Sequence, residues 1–582
     1  MLKRLLQSVR QYKKDSILAP LIVSGEVVLE VFMPWIMGKI IDHGINVGDM
    51  GYVTKMGIVL VICCVLSLAC GALAGKYAAS GSAGFARNLR QDMFYNVQNF
   101  SFFNIDKFST ASIVTRLTTD VTNLQNAYQM IIRTAVRSPF MLISSIVMAF
   151  TINAKAALVF LLAVPVLAIG LGLIITHAHP IFIRVFKTYD KLNRVVQENL
   201  YGIRVVKSFV REDYEEQKFK EVSRKIHDDF CKAERLLAFN GPLMQLCSYG
   251  CMLLISWVGA RMIVLSGGTE MTTGDLTSLF TYVMQILMSL MMLSMILVMI
   301  TMSKASAERI VEILEEAPTI TNPEAPVTEV PDGSVEFSGV EFSYSDKSGK
   351  PCLRDVNLKI ASGQTIGIIG GTGSAKSTLV QMIPRLYDVT KGEVRVGGRN
   401  VREYDLEVLR DSVAMVLQKN VLFSGTIKEN LRWGNPDATD EELIHACELA
   451  QADGFIREFP DGYDTHIEQG GRNVSGGQKQ RLCIARALLK KPKILILDDS
   501  TSAVDTRTDA LIRKAFREEI PDTTKFIIAQ RISSVEDADQ IIVMNDGCVD
   551  AVGTHDTLLK TNEIYREVYT SQMKGGDEDG RS

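Results

Sequence analysis

One glycine-rich segment holds the residue types that bind phosphate. It reads Gly370, Gly371, Thr372, Gly373, Ser374, Ala375, Lys376, Ser377 and Thr378. It follows the apolar run Thr365–Ile369, and we expect the chain after it to be helical as far as Leu386. Glycines let backbone N–H groups curl around phosphate oxygens, and a helix N-terminus adds positive potential. In this context Lys376 would reach the outer phosphates of a nucleotide, and Ser377 would ligate Mg²⁺.

The position before the lysine is unusual for such a loop. Phosphate loops of this type have glycine there, and this sequence has Ala375. An alanine adds a Cβ that could crowd the backbone around the phosphates. The sequence alone therefore predicts a nucleotide site and leaves its affinity open.

Two other segments could act on the same phosphates. The apolar run Lys493–Leu497 ends in two carboxylates, so a strand there would place Asp498 near the metal and Asp499 beside it. The segment Asn473–Gln478 precedes a basic helix that we predict over Lys479–Lys490. A helix N-terminus that carries serine and glycines suits an anion.

The chain that must position these residues is long enough for two or more domains. It has 582 residues, of which 47% are hydrophobic and 22% are charged, and this balance excludes a disordered or fibrous protein. The net charge of −3 weighs against a nucleic-acid partner. The ten cysteines show no paired spacing, so neither a disulfide framework nor a Cys-rich zinc site is indicated.

The N-terminal half contains apolar runs close to the length of about 20 residues that a bilayer crossing requires. Six spans are predicted, near Ile17–Ile41, Met56–Lys76, Ile131–Phe150, Ala157–Thr176, Leu243–Leu265 and Leu279–Thr301. Lysine and arginine gather at the N-terminus and in two long connections, so both termini are predicted to be cytosolic. We predict that these connections are helical arms, with tips near Asn104–Ser112 and Val210–Tyr214.

The pattern changes after the acidic, proline-rich stretch Glu315–Gly333, which is typical of a linker. Beyond it, short β-branched runs alternate with helical segments, as in a parallel α/β domain. We therefore place a transmembrane domain at 1–314, a linker at 315–333, a nucleotide-binding domain at 334–574 and a disordered tail at 575–582.

With the phosphate loop, the Asp498 strand and the Asn473–Gln478 segment in their order, the chain resembles the half-transporters of the ATP-binding-cassette (ABC) exporters. The resemblance covers nearly the whole chain. It implies an all-α transmembrane domain of six helices with long cytosolic helical extensions, followed by an α/β P-loop ATPase domain. It also implies ATP and Mg²⁺ as ligands, and a multi-pass location in the cell membrane of a bacterium.

The resemblance assigns roles to the residues that match the family's motifs. Tyr344 would stack on adenine, and Gln418 of the Q-loop would complete the ATP site around the phosphate loop. Mg²⁺ would be held by Ser377, Gln418 and Asp498. Asp505 belongs to the D-loop. Four signature residues would act on the ATP of a partner chain: Ser475, Gly476, Gly477 and Gln478.

Two positions depart from the family's pattern. The family places a glutamate after the metal-binding aspartate as general base, and here the residue is Asp499. The family places a histidine in the switch, and here it is Gln530. Aspartate is one methylene shorter, and a misplacement of about 1 Å can cost about 10²-fold in rate. Glutamine cannot bring positive charge to the γ-phosphate, so we predict a site that holds ATP and hydrolyses it slowly.

The same departures predict a partner. In this family two ATPase domains enclose two nucleotides, and each site pairs one chain's phosphate loop with the other chain's signature. A weak site beside a nearly intact signature predicts a heterodimer with a second ABC half-transporter that carries the consensus glutamate. The chain would then be the degenerate half, as in bacterial heterodimeric multidrug exporters. A homodimer would contain two weak sites.

Charged and flexible side chains within the predicted spans are candidates for a substrate cavity. Glu26 and Glu30 lie four residues apart, on one helical face. They could attract a cationic substrate, or they could pair with Arg133 or Arg137. The sixth span carries a methionine stripe that suits a cavity accepting many shapes, or ordinary packing and lipid contact. Its candidates are Met288, Met291 and Met295.

The predicted function is ATP-driven outward movement of amphipathic compounds, drugs or lipids, across the lipid bilayer. One alternative is a peptide or bacteriocin exporter, which is weakened because no peptidase domain precedes the first span. Another is a regulatory or channel-like membrane protein that binds ATP without net pumping. The near-intact signature argues against that alternative.

Overall fold

A computed structural model describes residues 1–344, 350–500 and 502–579. The chain divides into two compact units. The first consists of Met1–Gln98 and Ser109–Glu316, and the second combines Asn99–Phe108 with the chain from Ala317 onward. The expected linker at 315–333 therefore contains the boundary between the units, and a ten-residue segment of the N-terminal half folds with the C-terminal unit.

Helices dominate the first 316 residues. They are α1 Leu2–Gln7, α2 Lys13–Ile40, α3 Met50–Gln98, α4 Phe102–Phe108, α5 Thr110–Thr115, α6 Val121–Ile152, α7 Ala154–Tyr201, α8 Ile203–Ser208, α9 Glu212–Ala238, α10 Asn240–Ser266 and α11 Thr273–Glu315. Over the described residues, six helical stretches are long and apolar enough to cross a membrane. Each contains one of the six predicted spans, which are thereby confirmed.

The long helices extend well past their apolar parts, as expected of helical arms. At about 1.5 Å per residue, the 49 residues of α3 reach about 70 Å, more than twice the thickness of a hydrocarbon core. Between α3 and α6 the chain turns through α4 and α5, and Ser109 there has a φ of +55°. Between α8 and α9 it turns at Val210, whose φ is +51°. Both turns fall within the predicted tips.

The C-terminal end of α2 and the N-terminal end of α11 approach each other closely at Gly38 and Gly274. The α11 N-terminus is capped by a reciprocal pair of hydrogen bonds between Thr272 and Asp275. Asp42 adds to this cap by accepting hydrogen bonds from the Thr272 hydroxyl at 2.6 Å and from the Gly274 N–H at 2.9 Å. A Cβ on Gly274 would collide with the carbonyl oxygen of Gly38. This contact therefore requires glycine in α11.

The two carboxylates in α2 are paired within the unit. Arg137 donates to both oxygens of Glu30 at 2.7 Å and lies 3.7 Å from Oε1 of Glu26. Glu26 is buried, its carboxylate packs against Gly71, and its Oε2 has no hydrogen-bond partner among the described residues. Of the two explanations left open by the sequence, the structure supplies the pairing with Arg137.

The predicted methionine candidates lie on the surface of α11. Met288 is 44% exposed and Met295 is 62% exposed, whereas Met291 is half-buried. Their exposure is compatible with a cavity wall, a partner or lipid.

The second unit is built on two larger sheets and a two-stranded ribbon. Its strands are β1 Val335–Phe342, β2 Leu353–Ile360, β3 Thr365–Gly370, β4 Lys391–Val396, β5 Arg399–Asn400, β6 Val413–Val416, β7 Gly425–Thr426, β8 His466–Ile467, β9 Ile494–Asp498, β10 Thr524–Ile528, β11 Gln540–Asn545 and β12 Cys548–Gly553. Its helices are α12 Lys376–Gln381, α13 Leu406–Ser412, α14 Ile427–Leu431, α15 Asp440–Leu449, α16 Asp453–Glu458, α17 Gly476–Leu489, α18 Thr506–Glu519, α19 His555–Thr561 and α20 Glu563–Asp579.

The order of the strands brings the carboxyl ends of three of them together. An antiparallel sheet has the order β2-β1-β4-β5, and the larger sheet has the order β12-β11-β3-β10-β9-β6. In the larger sheet β10 runs parallel to both β3 and β9, with Ile528 opposite Ile368 on one side and Asp498 on the other. The segments that follow β3, β9 and β10 therefore begin side by side. The α/β ATPase fold expected for this domain is confirmed.

One sequence-based boundary was wrong. The helix after the phosphate loop ends at Gln381 rather than Leu386, because Pro384 disfavours helical backbone in the residue before it and the following Arg385 has a φ of +52°. At the C-terminus α20 is described as far as Asp579, and the disordered tail at 575–582 stays a prediction. Residues 580–582 of that tail lie outside the described residues.

Segment Asn99–Phe108 docks on the second unit through aromatic and polar contacts. The Tyr387 hydroxyl donates to Asp106 at 2.7 Å, and the rings of Phe102 and Tyr387 lie 6.0 Å apart. Asn104 is fully buried and donates to the carbonyl oxygen of Ala317. Tyr387 also contacts the ring of Tyr344 at a centroid distance of 5.2 Å, so the predicted adenine-stacking residue is one aromatic contact away from this segment.

The α2–α11 contact gives a stability prediction. Replacing Gly274 with alanine forces the two helices apart, and overpacking of this kind costs about 1–3 kcal/mol. Gly274→Ala should therefore lower the melting temperature of the detergent-solubilised protein. Gly57→Ala, on the same kind of apolar helix but with nothing within 4 Å of the added Cβ, should not. Equal melting temperatures for the two variants would contradict this packing.

Candidate functional site

The phosphate loop lies between β3 and α12, as its sequence predicts. A Cβ on Gly370 would collide with the carbonyl oxygen of Met544 in the neighbouring strand, which explains the glycine at the strand end. The Lys376 ammonium donates to the carbonyl oxygens of Gly370 and Gly371 at 2.7 and 2.8 Å. Burial lowers the pKa of Lys376, and the charges of Asp498 and Asp499 oppose that shift. The lysine is thus held inside the loop where phosphates would lie.

Ala375 occupies the N-cap of α12 in a left-handed conformation. Its φ is +69° and its ψ is +25°, a region that glycine enters freely and that costs other L-residues about 1–2 kcal/mol. The departure noted in the sequence therefore stores backbone strain in the loop. The cost of alanine instead of glycine at this position therefore lies in the backbone conformation.

The residues expected to hold Mg²⁺ bring hard oxygen donors together. The Ser377 hydroxyl donates to Oδ1 of Asp498 at 2.9 Å, and Asp498 is only 3% exposed. Burial raises the pKa of Asp498, the Ser377 hydrogen bond opposes this, and the charge of Asp499 adds to it. A hydroxyl and a carboxylate next to an anion-binding loop fit Mg²⁺, which takes one or two protein oxygens together with phosphate oxygens.

The two departures from the family's pattern contact each other. The Gln530 side-chain amide donates to Oδ2 of Asp499 at 2.8 Å. The Asp499 N–H donates to the carbonyl oxygen of Ile528 at 3.0 Å, and its φ is +48°, a left-handed conformation that aspartate tolerates better than most residues. The strand ends of β9 and β10 thus place the carboxylate and the switch side chain in direct contact.

The signature segment forms the N-terminus of α17. Ser475 is the N-cap, and it makes a reciprocal pair of hydrogen bonds with Gln478. A Cβ on Gly477 would lie 2.8 Å from the carbonyl oxygen of Ala503. Gln480 accepts a hydrogen bond from the Ala503 N–H at 3.0 Å. A Cβ on Gly476 would lie 3.6 Å from the Cβ of Ala503. The D-loop therefore packs on the signature glycines.

The other predicted site residues have separate positions. Tyr344 is 42% exposed, and its hydroxyl lies 3.0 Å from that of Thr378 in α12. Gln418 is exposed just beyond β6 and takes no part in the hydrogen bond between Ser377 and Asp498. Asp505 caps α18 by accepting the Thr508 N–H at 3.0 Å, and that hydrogen bond lowers its pKa.

Sequence reasoning did not find the residues that support the site from a distance. Tyr387 and Asp106 are 281 positions apart, and Gln572 contacts the switch from the last helix. None of these residues belongs to a recognisable motif. Only the three-dimensional contacts bring them to the site.

Comparisons with known proteins agree on both halves of the chain. A family model described as "ABC transporter transmembrane region" matches residues 17–290, and one described as "ABC transporter" matches residues 353–502. The solved structure of a bacterial Atm1-family ABC exporter with ATP bound shares the fold, with a TM-score of 0.82 and 24% identity. The alignment covers 96% of this chain and 99% of that one.

Curated relatives align over the full length. YfiB of Bacillus subtilis (strain 168), described as an uncharacterized ABC transporter ATP-binding protein, is 36% identical over 98% of this chain and 99% of its own. Rv1273c of Mycobacterium tuberculosis, described in the same words, is 36% identical over 98% of both chains. A fatty acid ABC transporter ATP-binding/permease protein of Mycobacterium bovis is 33% identical over 82% of this chain and 75% of its own.

These matches span the membrane helices and the ATPase unit in one continuous chain, in the order the motifs require. The chain therefore belongs to the ABC transporter family, as a multi-pass membrane half-transporter with the ABC exporter fold and one ATP-binding domain.

Proposed function

We propose that this chain is the degenerate-site subunit of a heterodimeric ABC exporter that moves amphipathic compounds outward across the cell membrane. ATP binding draws the two ATPase domains of the dimer together, and hydrolysis takes place mainly at the site built on the partner's phosphate loop. The observation that carries this proposal is the hydrogen bond between Gln530 and Asp499.

That hydrogen bond explains why the site would be slow. The carboxylate that would have to take a proton from the attacking water already accepts an amide N–H. It is also one methylene shorter than the glutamate found in the family, and such a displacement can cost about 10²-fold in rate. The neutral amide of Gln530 supplies no positive charge to the γ-phosphate as hydrolysis proceeds.

The residues that bind the nucleotide are complete in type. Lys376 and the loop N–H groups would hold the phosphates, and Tyr344 would stack on adenine. Ser377 and Asp498 would hold Mg²⁺, with Gln418 as a further oxygen donor, and the ion would neutralise phosphate charge when bound. A site with these groups retains ATP even when it hydrolyses ATP slowly.

The signature supports the pairing with a different chain. The N–H groups of Ser475 and Gln478 are used by the cap, and those of Gly476 and Gly477, with the positive end of the helix, suit the γ-phosphate of a partner's ATP. A partner half-transporter with the consensus glutamate would supply the missing base in that composite site. Two copies of this chain would have no such base.

The substrate assignment rests on the membrane unit and on one relative. The exposed methionines of α11, Met288 and Met295 with the half-buried Met291, offer a flexible apolar surface to amphipathic molecules. Arg137 pairs with Glu30 at 2.7 Å and lies 3.7 Å from the buried Glu26, which removes much of the attraction of both carboxylates for a cationic substrate. A relative named as a fatty acid transporter also fits an amphipathic substrate.

The orientation of the chain in the membrane follows from the distribution of its lysine and arginine residues. The basic N-terminus and the basic connections between spans would face the cytosol, together with both chain termini. The curated bacterial relatives support a bacterial plasma membrane as the location. Peptide export and ATP-gated regulation without pumping remain the competing functions, and ATP-dependent uptake into inverted vesicles separates pumping from gating.

Restoring the family's two residues tests the slow site. In the assembled dimer, the double variant Asp499→Glu with Gln530→His should raise hydrolysis at this chain's own site by about 10²-fold, measured as loss of the γ-phosphate from ATP bound to this chain, because it returns the base and the positive charge. Adding Lys376→Ala should abolish the gain by removing the phosphate contact. A wild-type rate that already equals that of the double variant would contradict a degenerate site.

The partner is tested by isolating the chain from its native membrane. A tagged copy should co-purify, at about one to one, with a second protein of half-transporter size that has glutamate at the position of Asp499. Mass spectrometry of the cross-linked complex identifies it. Recovery of cross-linked homodimers alone would exclude the heterodimer.

The strained alanine predicts a third outcome. Ala375→Gly removes the left-handed strain, which is worth about 1–2 kcal/mol before the extra flexibility of glycine offsets part of it. Because this strain is present without ATP, its relief acts on folding, and Ala375→Gly should raise the melting temperature of the purified protein. The matched change Ala503→Gly, in the D-loop, relieves no such strain and should not raise the melting temperature. A melting temperature that Ala375→Gly leaves unchanged or lowers would contradict the strain.

A further inference from the structure

The last helix of the chain makes a two-point contact with the switch. The Ile532 N–H donates to Oε1 of Gln572 at 2.9 Å, and Nε2 of Gln572 donates to the carbonyl oxygen of Gln530 at 2.8 Å. One side-chain amide thus pairs with two backbone groups of the switch at once. Only one orientation of the amide places its N–H₂ toward a carbonyl and its oxygen toward an N–H, so the contact also fixes the direction of the side chain.

Helix α20 is anchored firmly at its start. Tyr565 is fully buried, and Ile564, Val568 and Tyr569 pack against the same apolar cluster. The Asn562 side chain precedes the helix, where it accepts the Tyr565 N–H at 2.8 Å and donates to Asp550 at 2.6 Å. The helix therefore carries Gln572 to the switch from a fixed base.

The contact continues into the nucleotide site. The residue whose carbonyl oxygen is held by Gln572 is Gln530, and its side chain is the donor to Asp499 at 2.8 Å. The Asp499 N–H in turn donates to the carbonyl oxygen of Ile528. A shift of the switch backbone would therefore move the Gln530 amide relative to the Asp499 carboxylate.

We propose that Gln572 is a positioning residue of the switch: from the C-terminal helix it holds the switch backbone so that residue 530 meets residue 499. In this chain that contact restrains hydrolysis, and in the variant Asp499→Glu with Gln530→His the same positioning would support it. The side chain touches neither the site of the phosphates nor the carboxylates, and it acts only through residues 530–532. Because Gln572 lies on α20 and holds the switch through two hydrogen bonds, a displacement of α20 would release the switch. The proposal concerns the geometry of the switch and holds for either rate of hydrolysis at this site.

The first test is hydrogen exchange on the full chain. Gln572→Met keeps the length of the side chain and its helix propensity but removes both hydrogen bonds. The Ile532 amide should then exchange about tenfold faster, which corresponds to losing an ordinary hydrogen bond or two. Ser571→Ala, an exposed neighbour on the same helix, should leave that exchange unchanged. Equal exchange in Gln572→Met and Ser571→Ala would overturn the proposal.

The second test separates positioning from folding. In the background of Asp499→Glu with Gln530→His, Gln572→Met should lower kcat for ATP about tenfold, with KM and the melting temperature within experimental error. Gln572→Glu should keep the Ile532 amide protected, because it retains an acceptor, yet lower kcat, because its carboxylate faces the carbonyl oxygen of residue 530. An unchanged kcat in both variants, or a parallel loss of melting temperature, would overturn the proposal.

The degenerate-site proposal and the positioning role of Gln572 can fail separately. If the double variant shows no gain in hydrolysis, the degenerate-site proposal fails, and the Ile532 exchange still decides the role of Gln572. If the double variant gains activity and Gln572→Met exchanges and hydrolyses like Ser571→Ala, the positioning role fails alone.

Discussion

The alignment of three parallel strands is the constraint on which the nucleotide site depends. Because β10 lies between β3 and β9 in register, their carboxyl ends deliver the phosphate loop, the two aspartates and the switch to one edge of the sheet. Backbone hydrogen bonds fix this arrangement whichever side chains follow the strands. What the site can do chemically is then decided by the few residues placed just past the strand ends, above all Asp499 and Gln530.

The two departures from the family's pattern, at positions 499 and 530, form one structural feature because their side chains contact each other. A shorter carboxylate and a neutral amide meet in a hydrogen bond of ordinary length, and the proposed slow hydrolysis rests on this contact. The strain at Ala375 and the left-handed backbone at Asp499 lie in the same region. Unusual backbone of this kind is common at functional sites, where the surrounding structure holds it in place.

Much of the architecture could be predicted from the sequence, because it rests on local signals. Apolar runs of bilayer length indicated the six spans, and the apolar runs before the glycine-rich loop and at Asp498 indicated β3 and β9. The end of α12 was missed because the effect of Pro384 on the residue before it outweighed the helical pattern. The contacts of Tyr387 with Asp106 and of Gln572 with the switch join distant parts of the chain, and spacing in one sequence carries no signal for such pairs.

The central claim is that this chain retains ATP without splitting it. The most direct measurement is photo-cross-linking of azido-ATP, labelled on either the α- or the γ-phosphate, to the dimer during turnover, followed by separation of the two chains. The account predicts that this chain carries both labels equally while the partner chain loses the γ label. Loss of the γ label from this chain as fast as from its partner would contradict it.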